Sequence, residues 1–423
     1  MNPEAVKKNP SALHNTEFKY LQRKTMLEGG RPTECDYCWR IEDSSNKSIS
    51  DRAYKSHDSW ALPHMEAIKS TKWNTPVNPS YVELAFSSAC NFKCAYCNPA
   101  VSSRWMQDVV KDGAYELTRG NQYFNSNYIR ELKTTLAKTE DSNVFVKAFW
   151  EWWPELVKTM SVFRITGGEP LMSPNTGRVL DFLEKNPHPN LEFGLNTNLG
   201  VAEKIVAKTA RQVRAIIDKK HISRFRLYTS LDTWGPQAEY IRDGLNLDLF
   251  KKNFDSFLQK AFPIQTTFMV TFNALSFAHF VDFLKFVMDR RKYLREELKN
   301  GNEIFIDISY LRDPSFLAAN IVTPDLIAKG DAIVSFMKSN AVEDVIDGFY
   351  PFEIQKMERL MAWVKAPQDA RFVAIQRADF HAFITEYDRR REKHFSTTFP
   401  VYAGFMKTCS NSKWITLDAP KLN

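Results

Sequence analysis

Three cysteines in one short loop constrain this chain more than any other feature. Cys90, Cys94 and Cys97 follow the spacing Cys-x3-Cys-x2-Cys, which places three thiolates on a single turn of the chain. That is enough to hold three irons of a four-iron cluster, and it leaves one iron without a protein ligand. An open coordination position is where catalytic metal sites take substrate. Because the loop follows a strand-like run at 82–86, it should lie at the carboxyl end of a strand.

Two other interpretations of the loop need no cluster. Three close cysteines can bind zinc, or they can be buried thiols that serve only in packing. Structural zinc usually takes four ligands, and no histidine lies within this loop. The segments downstream of the loop therefore decide between these interpretations.

The cysteine spacing resembles the cluster motif of the radical S-adenosylmethionine (radical SAM) enzymes. Tyr96 takes the aromatic position that this family usually places just before the third cysteine. Four later segments resemble other motifs of the family and occur in the family's order. They are Thr-Gly-Gly-Glu-Pro at 166–170, Gly-Leu-Asn-Thr-Asn at 194–198, Thr-Ser-Leu-Asp at 229–232 and Val-Thr-Phe-Asn at 270–273. The resemblance extends over about residues 80–315 and is partial outside that range.

The resemblance implies a four-iron (4Fe–4S) cluster, S-adenosylmethionine (SAM) as cofactor, and an enzyme. In the family, a reduced cluster splits SAM into methionine and a 5′-deoxyadenosyl radical, which abstracts hydrogen from an unactivated carbon. The implied partners are a reductant such as flavodoxin or ferredoxin and a substrate, either a peptide or a small metabolite such as a sugar or nucleotide. The cofactor carries the difficult chemistry, and the protein contributes binding, position and exclusion of water.

The resemblance also implies roles for individual residues. Cys90, Cys94 and Cys97 would ligate the catalytic cluster, and Tyr96 would pack near the adenine of SAM. In the later motifs, Gly167, Gly168 and Glu169 would hold the methionine amino group, Ser230 and Asp232 would bind the methionyl carboxylate or the ribose, and Asn198 and Asn273 would line the nucleoside pocket. Residues that we expect near the mouth of the site without a specific role are Arg242, Asp243, Tyr310, Arg312 and Asp313.

Strand-like runs alternate with helical patterns through the middle of the chain. The runs occupy 82–86, 161–165, 191–195, 224–231, 265–272 and 304–310. This alternation predicts βα units and a parallel sheet. Together with the resemblance, it predicts an α/β fold in which residues 76–315 form a partial (β/α)6 TIM-type barrel with an insertion at about 98–160. Function would then lie at the carboxyl ends of the strands, and residues 316–423 would form a helical C-terminal extension over the open side or mouth.

Residues 1–75 contain a second pair of cysteines, Cys35 and Cys38. Their surroundings resemble the trailing half of the modules called twitch or SPASM, which bind auxiliary iron–sulfur clusters and would here precede the barrel. Such modules normally supply one or two further cysteines upstream, and residues 1–34 contain none. We therefore expect either that the natural chain starts further upstream or that Cys409 supplies a third ligand.

The alternatives for this second pair need no auxiliary cluster. Cys35 and Cys38 could bind zinc together with His57 or His64, or they could hold no metal. Cys409 could equally be a buried thiol without a function in metal binding.

The composition of the 423 residues, 43% apolar and 25% charged, is that of a globular protein. No apolar run reaches the roughly 18 residues that a membrane span requires, and the first residues lack the apolar core of a signal peptide. We therefore expect a cytoplasmic protein with no membrane partner, in a reducing compartment that suits free thiolates.

The net charge of +7 permits an anionic substrate or RNA without requiring either. The sequence thus favours a radical SAM enzyme acting on a peptide or small metabolite, with an RNA-modifying radical SAM enzyme as an alternative. Two further alternatives are a non-catalytic iron–sulfur electron carrier and a zinc-dependent nucleic-acid-binding module. The Gly-Gly-Glu-Pro segment and the other strand-end motifs argue against a carrier, because electron transfer does not need them.

Overall fold

The centre of the fold is a sheet of long parallel strands. The computed structural model of the chain describes residues 2–44, 50–118, 125–135 and 143–412. The strands are β1 (Tyr81–Ala85), β2 (Lys93–Cys94), β3 (Val162–Thr166), β4 (Glu192–Asn196), β5 (Arg224–Thr229), β6 (Arg242–Asp243), β7 (Gln265–Phe272) and β8 (Glu303–Tyr310). Six of them form the sheet in the order β1-β3-β4-β5-β7-β8, and all neighbours in it are parallel. The short β2 and β6 pair separately and antiparallel.

This arrangement confirms the prediction of an α/β fold with a parallel sheet of six strands. Each strand lies beside the next long strand of the chain, as repeated βα units require. The predicted strands agree with the observed ones to within two residues at each end. The largest difference is at β5, where Ser230 and Leu231 belong to the loop that follows the strand.

Helices precede, separate and follow the strands. In chain order they are α1 (Pro3–Lys8), α2 (Glu17–Leu27), α3 (Asp36–Ser44), α4 (Asp51–Lys55), α5 (Met65–Ser70), α6 (Ser103–Asp112), α7 (Ser126–Thr135), α8 (Val144–Leu156), α9 (Pro174–Lys185), α10 (Glu203–Asp218), α11 (Pro236–Ile241), α12 (Leu247–Lys260), α13 (Phe280–Tyr293), α14 (Pro324–Ser339), α15 (Pro351–Lys365), α16 (Ala370–Arg391), α17 (Phe395–Thr398) and α18 (Ala403–Asn411). Within the described ranges, none of them combines the length and the apolar composition that a membrane span needs.

The two faces of the sheet differ in polarity. Alternate residues such as Phe163 and Phe225 are fully buried. They pack against rings of the surrounding helices, Trp153 of α8 at 5.1 Å and Phe257 of α12 at 6.1 Å between ring centroids. The intervening residues are mostly only partly buried and include charged side chains such as Arg164 on β3, whose side chain is 16% exposed. Parallel sheets are usually apolar on both faces, whereas this sheet has one buried apolar face and one partly exposed face that carries charged side chains.

The N-terminal segment lies beside the edge strand β1. The side-chain amide of Asn15 accepts a hydrogen bond from the backbone N–H of Val77 at 2.9 Å and donates one to its carbonyl at 3.0 Å. The Trp60 ring packs on Tyr81 of β1 with 5.0 Å between ring centroids. The segment that carries Cys35 and Cys38 is thereby attached at the start of the sheet.

Two buried side chains bind free backbone groups of the other edge strand, β8. Glu353 of α15 accepts hydrogen bonds from the backbone N–H of Ile306 at 2.7 Å and from that of Tyr350 at 2.9 Å. Arg291 of α13 donates to the Ile304 carbonyl at 3.0 Å and pairs with Glu353 at 2.7 Å. The backbone groups that an edge strand leaves free are thus bound by an ion pair between helices.

The C-terminal helices reach back to the segment that follows the cysteine loop. Arg390 of α16 donates hydrogen bonds to the carbonyls of Gly113 and Ala114 at 3.0 and 2.9 Å. Asp379 of the same helix accepts one from the backbone N–H of Thr118 at 2.6 Å. Helix α16 is therefore hydrogen-bonded to the segment that follows the cysteine loop.

We expect Glu353→Ala to lower the free energy of unfolding by roughly 3–5 kcal/mol, because it leaves Arg291 buried without its partner. Urea denaturation of the wild type and the variant measures this. The matched control is Glu4→Ala, which removes the exposed Glu4–Lys7 pair and should change stability by about 0.5 kcal/mol at most. Equal effects of the two substitutions would contradict a structural role for the buried pair.

Candidate functional site

A cavity of about 240 Å³ lies among the loops at the carboxyl ends of the strands. Its walls contain eight residues that the sequence predicted for the site: Cys90, Cys94, Tyr96, Cys97, Gly167, Gly168, Asn198 and Ser230. These residues come from four separate motifs along the chain. The fold therefore brings most of the predicted cofactor-binding residues to one place.

Three predicted residues lie behind the cavity wall. The side chains of Glu169, Asp232 and Asn273 are almost completely buried and do not line the cavity. Their polar atoms are bound by other parts of the protein, as described below. Their observed contacts are therefore with the loops that carry the lining residues.

The two glycines at 167 and 168 allow a close approach between two loops. Gly167 has φ +121°, and a Cβ there would lie 2.7 Å from the Ser87 carbonyl oxygen. A Cβ on Gly168 would overlap the carbonyl oxygen of Ala89. The glycine loop also donates backbone hydrogen bonds to Ser87 at 3.2 Å and, from Glu169, to Ala89 at 2.7 Å. Glycine is thus required at both positions because the loop packs against the backbone that leads into the cysteine loop.

Glu169 fastens the glycine loop to the loop after β4. Its carboxylate accepts hydrogen bonds from the backbone N–H of Leu171 at 2.9 Å and of Asn198 at 2.6 Å, and from the Thr197 hydroxyl at 2.8 Å. Burial raises the pKa of Glu169 to about 7, while these three hydrogen bonds act in the opposite direction. This carboxylate therefore holds two walls of the cavity together.

Asp232 connects the cysteine loop to the other side of the sheet. Its carboxylate accepts a hydrogen bond from the Tyr96 hydroxyl at 3.0 Å and from the backbone N–H of Thr271 at 2.9 Å. It also pairs with the buried guanidinium of Arg242 at 2.9 Å, and Nη1 of Arg242 lies 3.9 Å from Sγ of Cys94. Arg242 and Thr271 themselves line the cavity. The cation that faces the cavity is thus held in place by a buried carboxylate.

A pair of asparagines joins the cysteine loop to the loop after β4. Asn198 donates a hydrogen bond to the side-chain oxygen of Asn91 at 2.8 Å, and Asn91 donates one to the Gly200 carbonyl at 2.9 Å. Asn198 therefore lines the cavity and supports it. Asn273 has a local role, because its side chain binds the Thr271 carbonyl at 2.9 Å and the Leu275 N–H at 3.0 Å.

An ionic cluster lies behind the cysteine loop. Lys93 of β2 contacts Asp108 of α6 at 3.1 Å and Asp243 of β6 at 3.5 Å. Arg391 of α16 contacts both carboxylates at 3.4 Å, and Lys393 contacts Asp243 at 2.9 Å. Asp243, which we expected near the mouth, belongs to this cluster. The C-terminal extension therefore helps to fix the loop that carries the cysteines.

Burial favours the protonated form of the three thiols of the loop. Burial raises the pKa of Cys97 to about 11 and also raises the pKa of Cys90 and Cys94. The nearby Arg242 guanidinium opposes this shift at Cys94. Binding of a metal would have to release these protons.

The cysteine loop presents its three thiols to one cavity. Among the described residues, no three His, Cys, Asp or Glu side chains converge on a point where one metal ion would bind. A four-iron cluster binds each cysteine through a different iron, so its thiolates stand apart around a cavity. Cys90, Cys94 and Cys97 are all partly exposed and line the same cavity.

The cysteines of the second pair are partly exposed, whereas Cys409 is fully buried. Cys35 ends a short 3-10 turn (Thr33–Cys35), and Cys38 follows in α3. Cys409 lies inside α18 within the hydrophobic core. In the part of the chain that the structure describes, neither Cys409 nor a histidine completes a single-ion site with Cys35 and Cys38.

The second pair lies near the same edge of the sheet as the cavity. The guanidinium of Arg312, in the loop after β8, is 5.0 Å from the centre of the Tyr37 ring in α3. Arg312 also donates a hydrogen bond to the Tyr310 hydroxyl at 2.7 Å, and Asp313 is exposed in the same loop. Of the residues expected near the mouth, Arg312 thus contacts the segment between Cys35 and Cys38, and Tyr310 and Asp313 lie near Arg312 along the chain.

The sequence interpretation missed several residues that shape the cavity. Asn196 and Thr197 line it, and Asn91 binds the neighbouring loop. Gly200 and Gly244 make room for Phe92, since a Cβ on either would overlap its ring. A glycine directly after a strand or turn was the available signal, because such positions often mark a close backbone approach.

None of the protein-family models, curated proteins or solved structures compared with this chain matches it.

We expect Gly168→Ala to destabilise the protein by roughly 1–3 kcal/mol, because the added methyl overlaps the backbone of Ala89. Gly177→Ala is the matched control, since a Cβ there has no neighbour within 4 Å and alanine favours the helix by about 1 kcal/mol. Thermal or urea unfolding of both variants measures the difference. A neutral or stabilising effect of Gly168→Ala would contradict the proposed contact between the loops.

The raised pKa of Glu169 predicts a pH dependence of stability. Between the ordinary pKa of 4.5 and about 7, the unfolded chain loses its proton while the folded chain keeps it. Stability should therefore fall as pH rises through this range, by up to roughly 3 kcal/mol at about 1.36 kcal/mol per pKa unit. Urea denaturation of metal-free wild type and Glu169→Gln at pH values across this window should show a decline that the variant lacks. Parallel curves for the two proteins would show that Glu169 does not titrate there.

Proposed function

We propose that this protein is a radical SAM enzyme, which cleaves S-adenosylmethionine reductively and abstracts hydrogen from a carbon of its substrate. The observation that carries the proposal is the meeting of three partly exposed cysteines and the Gly-Gly-Glu loop around one cavity. The cavity lies at the carboxyl edge of a parallel sheet, where α/β enzymes place their sites. The two alternative functions, an electron carrier and a zinc-binding module, do not require the cysteine loop and the glycine loop to share a cavity.

In this proposal the sheet is a partial (β/α)6 barrel. The sequential strand order supports it, and so does the partly exposed face with its charged side chains, which would be the inner face of the barrel. Among the described strands, β1 and β8 remain unpaired with each other. The opening between them would admit substrate, with the N-terminal segment beside β1.

Cys90, Cys94 and Cys97 would hold a four-iron cluster in the cavity. When bound there, the cluster would supply the electron that splits SAM into methionine and the 5′-deoxyadenosyl radical. Arg242 lies close enough to Cys94 to balance the negative charge of the thiolates. Because charge and hydrogen bonds near the sulfurs set the reduction potential, Arg242 would also influence how readily the site is reduced.

Other lining residues would bind SAM. The guanidinium of Arg242 and the Ser230 hydroxyl are suited to the methionyl carboxylate, and the polar side chains of Asn196 and Asn198 are suited to the nucleoside. The backbone of Gly167 and Gly168 forms the wall available to the methionine amino group. Glu169 and Asp232 act through their neighbours, since Glu169 orders the glycine loop and Asp232 orders Arg242 and Tyr96.

Partners and a second site complete the proposal. The enzyme would need a one-electron reductant such as flavodoxin or ferredoxin, and its substrate would be a peptide or a small metabolite. Cys35 and Cys38 would belong to an auxiliary iron–sulfur cluster near the mouth. That part of the proposal is supported by the contact between Tyr37 and Arg312.

The test is anaerobic reconstitution with iron and sulfide, followed by reduction and addition of SAM. We expect 5′-deoxyadenosine from the wild type and none from Cys94→Ala, because the variant lacks one cluster ligand. The matched control is Cys35→Ala/Cys38→Ala, which should bind less iron but still retain the cluster at Cys90, Cys94 and Cys97. A fully loaded, reducible wild type that neither binds nor cleaves SAM would favour the non-catalytic electron carrier.

A further inference from the structure

The polar face of the sheet carries an arginine close to the cysteine cavity. Arg164 lies on β3, and its Nε donates a hydrogen bond to the side-chain oxygen of Asn196 at 2.8 Å. Asn196 itself lines the cavity. The guanidinium is therefore one residue away from the place where the proposed radical would form.

The fold holds this guanidinium in a fixed orientation. Arg164 stacks on the ring of Tyr228 of β5, with 3.8 Å between the guanidinium carbon and the ring centroid. The stack crosses Gly194 of β4, where a Cβ would lie 3.1 Å from the Tyr228 ring and 3.3 Å from the Arg164 side chain. A glycine in the middle of a strand weakens the strand, so its presence here serves the contact between its two neighbours.

The carboxylate partner of Arg164 is loosely placed. Nη1 of Arg164 lies 3.6 Å from Oε2 of Glu83, whose side chain is 40% exposed. Glu83 also accepts a hydrogen bond from the Tyr81 hydroxyl at 2.8 Å. On the same face, Arg226 pairs tightly with Glu192 at 2.7 Å. Arg224, two residues before Arg226 on β5, also pairs loosely with Glu192, at 4.0 Å. Arg164 is the loosely paired cation that in addition contacts a residue of the cavity wall, and an incoming anion can displace its carboxylate.

We propose that Arg164 binds an oxyanion group of the substrate, a carboxylate or a phosphate, and that Glu83 occupies this position when substrate is absent. A planar guanidinium held by stacking is suited to bidentate binding of either group. The position next to Asn196 would hold the substrate beside the cysteine cavity. The identity of the ligand as substrate depends on the proposed function, whereas the anion site does not.

Two simple anions test the site without radical chemistry. Metal-free and reconstituted proteins are titrated with inorganic pyrophosphate and with malonate at constant ionic strength, and the shift in unfolding midpoint gives the affinity. We expect Arg164→Gln to weaken binding at least about tenfold, since hydrogen bonds to charged groups are worth about 1.5–3 kcal/mol. Glu83→Gln should tighten binding, because it removes the competing carboxylate. Arg178→Gln is the matched control, since Arg178 stacks on Trp150 at the same 3.8 Å outside this face.

The preferred anion and the effects of the two variants distinguish the possible kinds of ligand. Preferential binding of pyrophosphate indicates a phosphorylated substrate, and preferential binding of malonate indicates a carboxylate. Equal affinity of the wild type and Arg164→Gln, or weaker binding by Glu83→Gln, would overturn the proposal. If Arg164→Gln does not fold, the sign of the Glu83→Gln effect still decides. Because neither measurement needs SAM cleavage, failure of the anion site and failure of the radical SAM proposal remain distinguishable.

Discussion

The buried carboxylate of Asp232 is the interaction on which the geometry of the site depends. It binds Tyr96 of the cysteine loop, Arg242 of β6 and the backbone of Thr271 on β7. A buried charge is tolerated only when it is paired and hydrogen-bonded, and here its partners come from three separate segments. The carboxylate therefore fixes how the cysteine loop sits over the sheet, and it places the Arg242 cation beside the thiol of Cys94.

Backbone contacts and a second carboxylate complete the support. Glu169 joins the loops after β3 and β4, and the glycines beside it let the chain pass close to the start of the cysteine loop. On the far side, Trp105 donates a hydrogen bond to the Cys94 carbonyl at 2.8 Å, and Arg391 of the C-terminal extension stacks on its ring. The cysteine loop is thus supported from the sheet and from the last helices, so the side chains that face the cavity are held before any ligand binds.

The strands were predictable because hydrophobic periodicity is local, and the meeting of the motifs followed from a parallel sheet, whose carboxyl ends share one edge. Which motif residues face the cavity was not predictable. Glu169, Asp232 and Asn273 have the residue types of ligand-binding groups, yet their partners lie on other elements at least 10 positions away or within their own segment, and spacing does not reveal such contacts. Arg391 and Asp108 are 283 positions apart, and nothing in the sequence indicates that they are in contact. The polarity of the second sheet face was also missed, although Arg164 and Arg226 alternate with apolar residues in the sequence.

In the proposed function, the cysteine loop holds a four-iron cluster with one iron open to SAM. Electron paramagnetic resonance of the reduced, reconstituted protein tests this most directly, before and after addition of SAM. The Cys35→Ala/Cys38→Ala variant isolates the signal of the loop. We expect the signal of a reduced four-iron cluster whose shape changes when SAM is added, because SAM would bind the open iron. A spectrum that SAM leaves unchanged, or a protein that takes up zinc and no iron at Cys90, Cys94 and Cys97, would contradict it.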